Sequence, residues 1–305
     1  MAMKAMTVIL AALAASVTAA SAFAEPDIKG CEGTLRDDCW MWGHDSGVYD
    51  KPGNAYNIPV SEPISMADAC KYMGIPNVCA VTWKDPDEAY LSEFSRLRRF
   101  SWVTCGGGER NWRILADRCF RIADRMPNMV GLDLDDYFIS KECETVPTSN
   151  GVVRVIKSVV GYENTMGLKA RVKAYKRPLE LRMVVYLENP EMPDYAPIMR
   201  EMDTIFLWTW GGVNLTNMTA NIARFREAAP KTRALLGVYM WDFGGCKPLE
   251  IGLMRHQLAV GLDLYKKHQI DGFIFHCTPL VNKSPKIEAV EYARDWIRRN
   301  GDLRR

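Results

Sequence analysis

Three aspartates, Asp133, Asp135 and Asp136, fall within four positions at the end of the apolar stretch 128–138, NMVGLDLDDYF. Carboxylates this close repel, so at least one is expected to hold its proton above the usual range and to be able to act as an acid. In an extended segment Gly131, Asp133 and Asp135 share one face, and Leu132 and Leu134 the other. The leucines suit a face packed on helices, which turns Asp133 and Asp135 inward. Asp136 then stands where the strand ends, and the deeper Asp133 is placed to orient Asp135.

The elements that must position these groups follow a repeating pattern. Eight apolar runs occur at 39–42, 77–83, 100–105, 129–135, 181–187, 204–210, 234–241 and 272–277. Most are continuous, as expected of parallel strands covered on both faces. Amphipathic segments lie between them. Asp85-Pro86-Asp87-Glu88 reads as a helix start. Leu91, Phe94 and Leu97 mark that helix's buried face, and Trp112, Leu115, Cys119 and Ile122 the next. Longer helices are expected near 249–267 and 285–299. Eight strand–helix repeats over about 250 residues are the arithmetic of a single-domain (β/α)8 TIM barrel. An open doubly wound sheet would favour a phosphate-binding turn, and Gly106-Gly107-Gly108 lacks the GxGxxG spacing. The connection 139–162 contains Pro147, Ser149, Asn150 and Gly151, and is expected to be a substrate-shaping loop.

Barrel chemistry sits at the carboxyl ends of the strands. Those ends collect Trp42, His44, Trp83, Tyr137, Tyr186, Glu188, Trp208, Trp210, Tyr239, Trp241, Asp242 and His276 beside the aspartates. Flat aromatics stack on apolar sugar faces, while carboxylates and imidazoles bind hydroxyls. The expected catalytic groups are Asp135, Asp136, Glu188 and Asp242, with Asp133 and the remaining rim residues binding substrate. A glycosidase needs two such carboxyl groups across the scissile bond.

The Gly131-x-Asp133-x-Asp135 alternation resembles the fourth-strand motif of the chitinase-type glycoside hydrolases. Tyr137 stands where that motif carries its glutamate acid. The adjacent Asp135-Asp136 pair followed by an aromatic residue resembles the paired aspartates of O-GlcNAcase-type hexosaminidases. That resemblance implies that Asp135 orients a substrate acetamido group and that Asp136 is the general acid/base. A metal-dependent hydrolase or phosphodiesterase is the alternative reading, with His44, Asp45, Asp133, Asp135 and His276 around a divalent ion. A non-catalytic carbohydrate-binding barrel is a further one.

Composition bounds the rest. Lys4 precedes an apolar run from Met6 to Val17, and Ala22-Phe23-Ala24 ends the segment in a small-x-small pattern. This reads as a signal peptide over 1–24, leaving residues 25–305 as the catalytic domain of a secreted or periplasmic protein. No later run is long enough to span a membrane. A net charge of +2 with interspersed signs gives no indication of a nucleic-acid partner. The expected partner is an oligo- or polysaccharide, with no cofactor called for. Nine cysteines lack zinc-finger spacing. Export would permit disulfides, with Cys31–Cys39 and Cys70–Cys79 as short-range candidates and Cys119 as core. Asn214-Leu215-Thr216 and Asn217-Met218-Thr219 are glycosylation sequons.

Overall fold

A computed structural model describes residues 30–60, 62–106, 111–138, 142–148, 151–188, 192–281 and 283–304. Residues 1–24, expected to be a signal peptide, and the glycines at 107 and 108 lie outside the described residues. Eight parallel strands close into a barrel: β1 (Cys39–His44), β2 (Asn77–Val81), β3 (Arg99–Cys105), β4 (Met129–Leu134), β7 (Glu180–Tyr186), β8 (Thr204–Trp208), β9 (Arg233–Tyr239) and β10 (Gly272–His276). They follow one another around the barrel in chain order, with β10 pairing β1. The chain is thus a single (β/α)8 TIM barrel, as its strand and helix spacing predicts.

Among the described residues the helices are α1 (Met66–Met73), α2 (Glu88–Phe94), α3 (Trp112–Arg125), α4 (Tyr162–Lys173), α5 (Met192–Met199), α6 (Met218–Ala228), α7 (Ile251–Lys266) and α8 (Glu288–Asn300). Local signals set their ends. Ser65 caps α1 by accepting from the Asp68 N–H, and Gly74 ends it in the left-handed conformation at φ 69°. α2 starts two residues later than its DPDE signal suggests. Asp87, not Asp85, accepts the Tyr90 N–H, and Asp85 instead pairs with Arg118 at 3.0 Å.

The segment expected as a loop after β4 is an antiparallel hairpin, β5 (Cys143–Thr148) with β6 (Gly151–Ile156). Val146, Val155 and Ile156 are buried, so the hairpin has an apolar side packed on the body of the protein, with β6 against α5.

Side-chain alternation fills the barrel in layers. At the floor, Asp133 accepts from Ser101 Oγ and from Cys79 Sγ, with Arg182 Nε 3.8 Å away. Above it Trp42 meets Phe206 and Trp208 edge-on, at 5.8 and 5.6 Å between ring centroids. Trp208 fills the space a β9 side chain would occupy. A Cβ on Gly237 would lie 2.1 Å from the Trp208 ring. Gly237→Ala is therefore expected to cost about 1–3 kcal/mol or more through overpacking, read as a lowered urea midpoint with an unchanged m-value.

None of the nine cysteines is bridged, which corrects both proposed disulfides, Cys31–Cys39 and Cys70–Cys79. Strand alternation explains the second pair. Cys79 points into the barrel at Asp133, whereas Cys70 on α1 lies outside it and faces the Asn77 carbonyl. Cys119 is core, as expected. Thiol titration in guanidinium without reductant should count nine free thiols.

Candidate active site

The fourth strand places its carboxylates at two depths. Asp133 is fully buried on the floor, held by the Cys79 thiol, the Ser101 hydroxyl and the Arg182 charge. It does not reach the rim, which corrects its assignment as a substrate-binding residue. Asp135 follows β4 at the mouth, where its N–H donates to the Cys105 carbonyl. Gly106, at φ 138°, lets the β3 end pass close by, since a Cβ there would sit 2.8 Å from the Asp135 Cβ. The Asp135 carboxylate accepts the Asp136 N–H at 2.9 Å, and Asp136 adopts φ 43°. That left-handed residue turns the chain and ends the strand's alternation.

Tyr137 therefore does not continue the inward face. It is fully buried, with its hydroxyl 2.6 Å from Thr165 of α4, which removes it from the list of substrate-binding residues. Asp136 instead faces Tyr186, whose hydroxyl donates to Oδ1 at 3.4 Å.

Burial first, and then the charge of Asp136, push the Asp135 carboxyl well above the usual carboxylate range. The Tyr186 phenol is also raised, by burial and by Asp135 and Asp136. Tyr186 is thus a neutral O–H donor beside the pair.

Tyr186 also lines an open cavity. A pocket of about 460 Å³ is lined by Tyr186, Glu188, Trp210 and Asn214. Glu188 Oε1 accepts from the Asn214 amide at 3.0 Å and the Gly211 N–H at 3.3 Å, which fixes it on the wall. Asn214, legible in the sequence only as a sequon, is here a pocket residue. Trp210, 37 % exposed, stands edge-on to Tyr186 at 6.4 Å. Trp210 and Trp208 do share the barrel-facing side. Only Trp210 has an open surface.

Beside this pocket, aromatic side chains cover part of the mouth. Tyr49, Tyr56 and Phe243, carried on the loops after β1 and β9, cover His276, with Phe243 4.5 Å and Tyr49 5.7 Å from its ring. His276 also packs on Tyr239, Trp208, Trp42 and His44. Burial lowers the His44 pKa to about 3 against the opposing pull of Asp45, and burial, then His44, lower that of His276 well below its ordinary value. Both imidazoles are neutral and encased. Trp42, His44, Trp208, Tyr239 and His276 hence form the packed wall behind the site rather than a stacking surface. Sequence reasoning missed Tyr49, Tyr56 and Phe243 because they lie in loops without periodicity.

Two further rim expectations are corrected. Asp242 is 8 % exposed, and its Oδ1 accepts the Gly245 N–H at 2.9 Å and the Gly212 N–H at 3.3 Å. It clamps two loops and is not a free acid. Trp241 is buried, its indole N–H donating to the Tyr56 carbonyl at 3.0 Å. Trp83 lies beyond the end of β2, 38 % exposed, and stacks with no other aromatic ring among the described residues. The metal reading fails on geometry. Among the described residues, no three His, Cys, Asp or Glu side chains are placed to share an ion. Asp45 is held by Thr82 and Tyr90, and Asp133 by Cys79 and Ser101.

Comparison with known proteins finds no matching family model and no matching curated protein. Solved structures do match. The GH99 endo-alpha-mannosidase of Bacteroides thetaiotaomicron is 10 % identical with a TM-score of 0.52, over 86 % of this chain and 97 % of that one. The xylanase-A-amylase inhibitor protein XAIP-III is 11 % identical with a TM-score of 0.51, over 87 % and 98 %. The Bacteroides uniformis beta-glucuronidase is 15 % identical with a TM-score of 0.46, and the match covers 69 % of this chain but only 27 % of that one. The chain therefore has the TIM barrel found in glycoside hydrolases, a fold it also shares with an inhibitor protein. Among the described residues no helix is long and apolar enough to cross a membrane.

Proposed function

We propose that this chain is an exported glycoside hydrolase acting on an oligo- or polysaccharide through Asp135 and Asp136. One observation carries the reading. Two adjacent carboxyl groups sit at the carboxyl end of β4, one of them pushed well above the usual carboxylate range by burial and by its neighbour, and Tyr186 links them to an open pocket bearing Glu188 and the exposed face of Trp210. A protonated carboxyl beside a second carboxylate is what departure of a glycosidic oxygen requires. Burial and the neighbouring Asp136 charge favour Asp135 as the proton donor, the reverse of the role its resemblance to the hexosaminidases implies. Asp136 and Glu188 are then the carboxylates available to stabilise positive charge at the anomeric carbon or to activate water. The signal-peptide pattern at 1–24 supports export, and amino-terminal sequencing of protein recovered outside the cytoplasm tests it.

The function test is glycan release. Purified protein and Asp136→Asn are incubated with a panel of polysaccharides and glycoprotein glycans, with and without EDTA, and products are read by mass spectrometry. Products that survive EDTA and vanish in the variant support the proposal. Glycan binding without products would instead support a carbohydrate-binding barrel. Trp210→Ala separates platform from packing. It should raise KM about tenfold or more through lost stacking while leaving the melting temperature within about 2 °C.

A further inference from the structure

The end of the barrel opposite the carboxylate pair holds a second cavity, of about 200 Å³, among the strand starts. Its wall includes Trp40, Arg99, Glu180, Arg182, Thr204 and Arg233. Three guanidinium groups and one carboxylate thus face one small space. Glu180 is already shared, accepting from Arg233 at 2.8 Å and from the Thr204 hydroxyl at 3.1 Å, with Arg182 Nε 3.2 Å away. Arg99 is held by Asp37 at 2.7 Å.

Arg182 is the anomaly. It is 1 % exposed, and its guanidinium lies over Trp40 with its central carbon 4.1 Å from the ring. Its Nη2 is buried without a hydrogen-bond partner, and its Nε has only the Glu180 ion pair at 3.2 Å, off hydrogen-bond geometry. The facing Asp133 Oδ1 is 3.8 Å off, beyond hydrogen-bond reach. A buried guanidinium with unmade hydrogen bonds is costly, so such groups nearly always find an acceptor. Arg233, by contrast, is half-exposed at the cavity mouth, where an entering anion would meet it.

We propose that this cavity binds a small oxyanion, held by Arg182 and Arg233. The planar, forked donors of arginine match tetrahedral and carboxylate oxygens in pairs. Glu180 occupies part of that fork and competes with the ligand. The site lies at the strand starts, separated from Asp135 and Asp136 by the packed barrel interior, so it stands or falls independently of the hydrolase reading.

The competition makes the test sharp, because two neighbouring variants should move affinity in opposite directions. Inorganic phosphate is titrated into the full-length protein by calorimetry, and thermal unfolding is followed in phosphate and in sodium chloride of equal ionic strength. Phosphate should bind and raise the melting temperature where chloride does not. Arg233→Gln should weaken binding about tenfold, the loss of one charge-assisted pair, and Glu180→Gln should tighten it by a similar factor. Arg233 sits at a strand start and is half-exposed, so its variant should fold. Equal stabilisation by phosphate and chloride would overturn the proposal, as would phosphate affinity unchanged in Arg233→Gln. Either result would mean that water alone fills the cavity.

Discussion

Asp135→Asn is expected to lower the rate of glycan release by about 10²–10⁴-fold, the range of a lost general acid. The amide keeps the acceptor for the Asp136 N–H but has no proton to give. The same substitution should stabilise the fold at neutral pH. Burial and the Asp136 charge raise the Asp135 carboxyl well above its unfolded value, so between those two values the native state holds more protons than the unfolded state. Stability from this group is complete below the unfolded pKa and is lost as pH rises through the folded one. Asn has no such titration. Urea unfolding of the two proteins from pH 4 to pH 8 should give curves that diverge with rising pH, the variant lying above. Parallel curves would show that Asp135 is ionised in the folded protein and would remove its role as acid.

Lys283→Met should produce the largest loss of stability from a single substitution, about 3–5 kcal/mol. Lys283 and Asp50 form an ion pair at 2.5 Å with side chains 1 % and 3 % exposed. Removing the cation leaves a buried carboxylate whose other bond, from the Gly47 N–H at 2.6 Å, does not neutralise it. The pair ties the segment after β10 to the loop that carries Tyr49 and Tyr56. Its loss should also loosen the aromatic cover over His276, seen as a reduced near-ultraviolet circular dichroism signal before the main unfolding transition. Asp50→Asn combined with Lys283→Met removes both charges and keeps an acceptor for Gly47. It should recover most of the lost stability, because no charge is left unpaired in the interior. A double variant as unstable as the single one would mean that packing at Lys283, not charge pairing, holds the loop.

Much of the architecture was legible beforehand. Each of the eight apolar runs became a barrel strand, because a strand buried on both faces leaves an uninterrupted apolar signature. Alternation correctly put Asp133 inward and kept Trp208 and Trp210 on one face. The rim list was less secure. Being at the end of a strand does not distinguish a residue that lines a cavity from one that loops have covered. Trp42, His44, Trp208, Tyr239 and His276 all occupy rim positions, yet Tyr49, Tyr56 and Phe243 close over them.

Local patterning by itself determined the barrel, the inward face of β4 and the placing of two carboxylates at its end, since hydrophobic period and side-chain alternation are properties of neighbouring residues. Only the tertiary structure decided which rim groups stay available. Asp242 was taken by the amides of Gly212 and Gly245, Tyr137 was turned aside by the left-handed Asp136, and Glu188 was fixed beside Tyr186 and Trp210 by Asn214. Each outcome depends on a partner far along the chain or on one backbone turn. A buried polar group goes to whichever partner the completed fold brings within reach.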